Sequence, residues 1–100
     1  MLTGNAINEI SGIVSPIAAR YGAERVFLFG SFARGDMTDS SDIDLRIDKG
    51  KIRGTQIAGL LIDLEEALGR NVDLIPTTSL DLKFLNAIKN DEVLIYEAKQ

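Results

Sequence analysis

The sequence predicts an α/β or α+β sandwich built on one small sheet, within a single domain that spans residues 1–100. Three segments have apolar residues at the three- and four-residue spacing of helices, and four short runs are rich in strand-forming residues. These two kinds of segment are interspersed along the chain, which favours helices packed on a sheet. With 100 residues, 45% of them apolar, the chain can form one hydrophobic core.

The N-terminal part predicts a helix and then a strand. Apolar residues recur at helical spacing over 6–21, and Pro16 inside this segment predicts either a kinked helix or two short ones. Gly22 is placed to end the helix. The run RVFLF at 25–29 predicts a buried strand that stops at Gly30.

The next segment predicts a loop that leads into a second strand. A helix can begin within 31–35, and the polar run DMTDSS at 36–41 predicts a loop. Residues then alternate with a period of two, which indicates a strand over 43–47 with one apolar face. The apolar face holds Ile43, Leu45 and Ile47, and the other holds Asp42, Asp44 and Arg46.

The C-terminal part predicts two more helices and two more strands. Helical spacing recurs over 57–68 and 82–88, and strand-forming runs occupy 72–75 and 93–96. The boundary residues are Gly69 after the first of these helices, Pro76 after the first strand, and Ser79 or Asp81 as the cap of the last helix.

Composition excludes several classes of chemistry. The chain has no cysteine and no histidine, so thiolate or imidazole metal sites and Ser-His triads are impossible. Its 15 acidic and 11 basic side chains include no basic cluster, which argues against direct binding of nucleic acid. No apolar run approaches the ~20 residues of a membrane span, and the first residues do not resemble a signal peptide. We therefore expect a soluble, cytoplasmic protein with no membrane association.

One candidate phosphate site directly follows the first predicted strand. Gly30 permits close approach of a ligand to the backbone, and a helix beginning after it would present free amides to a phosphate. Ser31 adds a hydroxyl donor, and Arg34 adds a guanidinium that can clamp a phosphate. An ordinary turn, with Arg34 paired to Asp36 or Asp39, explains the same residues.

The second predicted strand carries a pair of carboxylates. Asp42 and Asp44 are two residues apart, so both project from one face of a strand. Two like charges side by side are costly without a cation, and carboxylate oxygens suit Mg²⁺. A solvent-facing strand edge, with Asp42 capping a turn, remains the alternative.

A third carboxylate, Asp73, lies in the apolar run VDLI. If this strand neighbours the one over 43–47, Asp73 stands beside the Asp42/Asp44 pair. Two-metal nucleotidyl transfer uses such a carboxylate cluster. Otherwise Asp73 is a surface residue on a strand with one solvated face.

Taken together, these features resemble the minimal nucleotidyltransferases of the DNA polymerase β-like superfamily. The run GSFARGDMTDSSDIDL has the family's form, which is Gly-Ser, ten residues, then Asp-x-Asp. Asp73 in NVDLI matches the family's third carboxylate. The resemblance covers nearly the whole chain.

The resemblance implies a small mixed sheet flanked by helices, in the polymerase β-like nucleotidyltransferase fold. It implies ATP as the substrate and two Mg²⁺ ions, which Asp42, Asp44 and Asp73 would hold as catalytic residues. Gly30 and Ser31 would bind the triphosphate, with Arg34 as a further phosphate contact.

Small members of this kind resemble the antitoxin of HEPN/MNT toxin–antitoxin pairs. The resemblance implies a protein adenylyltransferase that transfers AMP to a tyrosine of a HEPN ribonuclease toxin, in a hetero-oligomer with that toxin or as a homodimer when alone. Two other functions stay open: an antitoxin that neutralises its toxin by binding alone, and a small-molecule nucleotidyltransferase.

Overall fold

The structure, a computed structural model of the chain, describes residues 6–99. Within this range the helices and strands alternate as the sequence predicts. In chain order they are α1 (Ala6–Tyr21), β1 (Arg25–Phe29), α2 (Ser31–Arg34), β2 (Ile43–Asp48), α3 (Gly54–Leu68), β3 (Val72–Pro76), a 3-10 helix (Thr77–Ser79), α4 (Leu82–Ile88) and β4 (Val93–Glu97).

The strands form one mixed sheet in the order β3-β2-β1-β4. β1 is antiparallel to both of its neighbours, whereas β2 and β3 are parallel. A parallel pair needs a crossover connection, and α3 supplies it. The predicted α/β fold with a small mixed sheet is confirmed.

The hydrophobic core lies between one face of the sheet and the helices α1 and α3. Ile43, Leu45 and Ile47 of β2 point into it and have no exposed surface. From the helices, Ile10 and Leu60 are equally buried. The residues that alternate with these on the strands project from the other face, which we call the open face.

α1 is one helix, and the predicted alternative of two short helices is wrong. Pro16 lies inside it without ending it. The loss of one backbone hydrogen bond at a proline is outweighed because α1 buries its apolar side against the sheet. Two hydroxyls strengthen this attachment: Ser11 Oγ donates to the carbonyl of Ile95 at 2.7 Å, and Ser15 Oγ does so at 3.3 Å.

Several predicted boundaries hold, with small differences. Gly69 ends α3 in a left-handed conformation, and Asp81 caps α4 because its Oδ1 accepts a hydrogen bond from the amide of Phe84 at 2.8 Å. β3 includes Pro76 as its last residue, and the 3-10 helix Thr77–Ser79 has no counterpart in the sequence prediction. Within residues 6–99, no helix has the length and apolar character required to cross a membrane.

Candidate active site

The centre of the candidate site is a pair of carboxyl groups on the open face. β2 and β3 are parallel and in a register that sets Asp44 directly beside Asp73. Both side chains project away from the core, since Ile43, Leu45 and Val72 on either side of them are buried. The two carboxyl groups are close enough for Asp73 to influence the ionisation of Asp44. The structure therefore brings together two predicted site residues that are far apart in the sequence.

Burial and the neighbouring carboxyl groups change the pKa of Asp44. Burial raises the pKa of Asp44 to about 6, assisted by the neighbouring carboxyl group of Asp73 and by the charge of Asp42. The charge of the Arg34 guanidinium lowers the pKa of Asp44, so Arg34 is close enough to interact with Asp44 electrostatically. Two negative charges this close together are costly, and a bound cation would relieve that cost.

Gly30 makes close packing of this pair possible. Its backbone has φ 74° and ψ −154°, a conformation that is essentially restricted to glycine. A Cβ built on Gly30 would overlap the Asp44 carboxylate and would lie 3.1 Å from its Cγ. The Gly-Ser turn and Asp44 are thus in direct contact, which explains why the sequence has glycine here.

Asp42 lies at the edge of this group. It precedes β2 by one residue, as the predicted strand over 43–47 implies, and it is exposed. It acts on Asp44 through its charge. Within residues 6–99, no three acidic groups are close enough together to hold a metal ion in the arrangement seen. The carboxylate oxygens of Asp44 and Asp73 nevertheless suit Mg²⁺, which usually binds one or two protein carboxylates together with substrate phosphates.

The two remaining predicted residues follow Gly30 in α2. Ser31 is the first residue of this helix, and its carbonyl accepts hydrogen bonds from the amides of Gly35 and Asp36 at 2.8 and 3.1 Å. Arg34 Nε donates to Asp36 Oδ2 at 3.2 Å on the exposed side. This is the ion pair that the sequence offers as the alternative for Arg34, although its charge still reaches Asp44.

The sequence indicated no structural role for two arginines, Arg70 beside the site and Arg46 further along β2. Arg70, before β3, hydrogen-bonds the loop that carries Asp42. Arg46, two residues after Asp44, is only 8% exposed, and it binds both oxygens of Glu92 at 2.8 and 3.0 Å. An arginine in a strand next to buried residues was the available signal for Arg46. For Arg70 no pattern in the sequence indicates its partners.

Comparison with known proteins shows the family to which the chain belongs. The family described as "Polymerase beta, Nucleotidyltransferase" matches residues 13–100. A relative from Methanocaldococcus jannaschii, named "Putative protein adenylyltransferase MJ0435", is 34% identical over 88 residues, which are 87% of this chain and 95% of that protein.

Solved structures share the fold. A structure described as a "putative minimal nucleotidyltransferase" superposes with a TM-score of 0.77 at 29% identity, over 89% of this chain and 92% of the other. A chain from a complex of a tri-AMPylated Shewanella oneidensis HEPN toxin with an MNT antitoxin has a TM-score of 0.69 at 16% identity, over 92% of this chain and 73% of that one. At that identity the second likeness concerns the fold alone. On the match to the family, the chain belongs to the polymerase β nucleotidyltransferase family.

Proposed function

We propose that this nucleotidyltransferase is a magnesium-dependent protein adenylyltransferase that serves as an antitoxin. It transfers AMP from ATP to a tyrosine hydroxyl of a HEPN ribonuclease toxin, with which it forms a hetero-oligomer. The observation that carries the proposal is the Asp44–Asp73 pair packed against Gly30. The name of the M. jannaschii relative and the AMPylated toxin in the S. oneidensis complex support the choice of AMP and of a protein acceptor.

The proposed chemistry assigns one task to each predicted residue. The backbone at Gly30 and the hydroxyl of Ser31 bind the triphosphate, and Arg34 leaves Asp36 to contact it. Asp42, Asp44 and Asp73 would hold two Mg²⁺ ions, whose charge would neutralise that of the phosphates and lower the pKa of the acceptor hydroxyl.

In the reaction the acceptor oxygen bonds to the α-phosphorus of ATP. The bond between that phosphorus and the oxygen that bridges to the β-phosphorus breaks. Pyrophosphate leaves, and the hydroxyl proton passes to the Asp73 carboxylate. Asp73 fits this task because it is exposed on the open face.

A protein acceptor suits the surface around the pair. Leu82, Phe84 and Leu94 are 72%, 39% and 46% exposed. Phe84 packs edge-on against Phe29, with ring centroids 5.9 Å apart, and Phe29 is the cross-strand partner of Asp44. Apolar side chains thus lie on the same side of the sheet as the carboxyl pair. An apolar border favours a protein over a nucleic acid, which needs a basic surface.

Intact-mass spectrometry tests the proposal. A HEPN ribonuclease from the same genome is incubated with this chain and Mg-ATP, and a parallel sample contains the Asp44→Asn/Asp73→Asn variant. We expect mass to be added in whole adenylyl units with the wild-type chain only, and peptide mapping to place it on tyrosine.

The other outcomes separate the alternatives. A stable complex without added mass would contradict the enzymatic proposal and favour an antitoxin that acts by binding. Pyrophosphate release with a small hydroxyl compound, and none with the HEPN protein, would instead indicate a small-molecule nucleotidyltransferase. Under each of these functions, residues 1–100 are proposed to act as one domain.

A further inference from the structure

The loop between α2 and β2 carries Asp42 at its end and is held together mainly by its own hydrogen bonds. The amide of Thr38 donates to Ser41 Oγ at 2.8 Å, and the amide of Ser41 donates to the carbonyl of Thr38 at 3.1 Å. These bonds close a tight turn. They do not fix the position of that turn relative to the sheet, and Asp42 is the residue that joins the turn to β2.

Arg70 connects this turn to the rest of the fold. Its Nη1 donates to the carbonyl of Asp39 at 3.0 Å and to the carbonyl of Ser41 at 3.2 Å. Its guanidinium carbon also lies 5.2 Å from the ring centroid of Phe32, which is 1% exposed and follows Ser31. One side chain therefore contacts both the end of the loop and the helix that contains the Gly-Ser turn.

Asp42 is anchored on both sides by two consecutive residues. The carbonyl of Ser41 before it accepts from Arg70, and the amide of Ile43 after it donates to the carbonyl of Asn71 at 3.0 Å. The second bond is part of the sheet edge and persists with any side chain. The first depends on the guanidinium, so the side chain of Arg70 determines whether Asp42 is held at one end or at both.

We propose that Arg70 is a positioning residue that places Asp42 for the Mg-nucleotide, an inference that rests on the proposed function. Arg70 contacts main-chain carbonyls of the loop and not the reacting groups. A guanidinium suits this task because one nitrogen donates two hydrogen bonds while the planar group lies against an aromatic ring. Lysine keeps the charge but lacks the planar group that contacts Phe32.

The test combines a binding measurement with hydrogen exchange. Arg70→Met and Arg70→Lys are compared with Arg20→Met, which removes the same charge from a guanidinium that is 66% exposed and lies at the end of α1. Calorimetry measures the affinity for α,β-methylene-ATP with Mg²⁺, and mass spectrometry follows exchange of the amides over 38–43. Melting curves report on stability.

We expect Arg70→Met to weaken nucleotide binding about 10- to 100-fold, the loss expected from one or two hydrogen bonds to a charged donor. Exchange over 38–43 should accelerate by a similar factor, because the loop loses its anchor. Arg70→Lys should recover part of both effects, and Arg20→Met should change neither.

Wild-type affinity in Arg70→Met, or unchanged exchange over 38–43, would overturn the proposal. A fall in melting temperature with unchanged affinity in the folded protein would do the same, since it would show a purely structural role. If the wild-type chain binds no Mg-nucleotide, the proposed function fails and so does the role of Arg70 toward the nucleotide. The exchange comparison then decides separately whether Arg70 orders the loop.

Discussion

The two ends of the open face of β2 differ in how their charges are compensated. At one end, the guanidinium of Arg46 is paired with Glu92 and lies 3.9 Å from the ring centroid of Phe27. Asp48 beside it accepts from Thr77 Oγ1 at 2.6 Å and from Arg25 Nε at 2.9 Å. At the other end, Asp44 has another carboxyl, Asp73, as its immediate partner.

The pKa values record this difference. Burial opposes ionisation of Asp48, but hydrogen bonds from Thr77 and Arg25 and the charges of Arg25 and Arg46 outweigh it, so the pKa of Asp48 lies below its ordinary value. Burial and like charge raise the pKa of Asp44 instead. One strand face thus has a compensated, structural end and an uncompensated end that suits a cation and a phosphate.

The largest effect on stability is expected at the compensated end. Arg46→Met leaves the Glu92 carboxylate partly buried without its partner, and breaking such a pair costs about 3–5 kcal/mol of the free energy of unfolding. Urea denaturation measures this loss. Arg20→Met removes an exposed ion pair and should cost less than about 1 kcal/mol. Equal losses in the two variants would show that Arg46 is not a structural anchor.

A glycine pair tests the close contact at the other end. Gly30→Ala should cost about 3 kcal/mol, because the residue must adopt a glycine-only conformation and its Cβ meets the Asp44 carboxylate. Gly35 also has positive φ, at 87°, but a Cβ added there would have nothing within 4 Å of it, so Gly35→Ala should cost about 1 kcal/mol. Thermal unfolding measures the loss of stability in each of the two variants. Similar losses would mean that the Asp44 contact contributes nothing.

Asp44→Asn should stabilise the chain in the absence of metal. Because the folded-state pKa of Asp44 is raised to about 6, its favourable contribution is complete below about pH 4 and is lost as pH rises through 6. After allowance for partial solvent exposure, the variant should gain about 1–2 kcal/mol at pH 8 and almost nothing at pH 4. Unfolding at both pH values measures this. A constant difference between the two would contradict the assignment.

The smallest expected effect on stability concerns Asp48, whose contribution depends on pH in the opposite sense to that of Asp44. Thr77→Val removes the hydroxyl that donates to Asp48 and should cost about 1 kcal/mol at pH 7. The pKa of Asp48 is lowered in the folded state, so the stabilisation it brings is present above pH 4 and is lost as pH falls through the folded value. The cost of Thr77→Val should therefore shrink in strong acid. A cost independent of pH would point to packing instead.

Much of this arrangement could be predicted because local patterns encode it. The alternation in β2 indicated both the core residues and the charged face. The spacing from Gly30 to Asp44 carried the family resemblance, and the phosphate and metal site that the resemblance implies stays a prediction. The sequence predicted that Asp73 lies beside Asp44 only if the strand that carries Asp73 is a neighbour of the strand over 43–47. That condition holds in the structure.

The remaining features depend on contacts between distant segments. Arg46 and Glu92 are 46 residues apart, and Arg70 reaches a carbonyl 31 residues away, which no local periodicity reveals. Pro16 left open a kinked helix or two short helices, and burial of α1 against the sheet keeps it one helix.

The most direct test of the uncompensated end as the nucleotide site is calorimetric titration with α,β-methylene-ATP, with and without Mg²⁺. We predict that the wild-type chain and Thr77→Val bind in a Mg²⁺-dependent manner, and that Asp44→Asn binds at least ~100-fold more weakly, a loss of about 2.7 kcal/mol. Equal affinity in Asp44→Asn and the wild-type chain, or binding that is indifferent to Mg²⁺, would contradict this account.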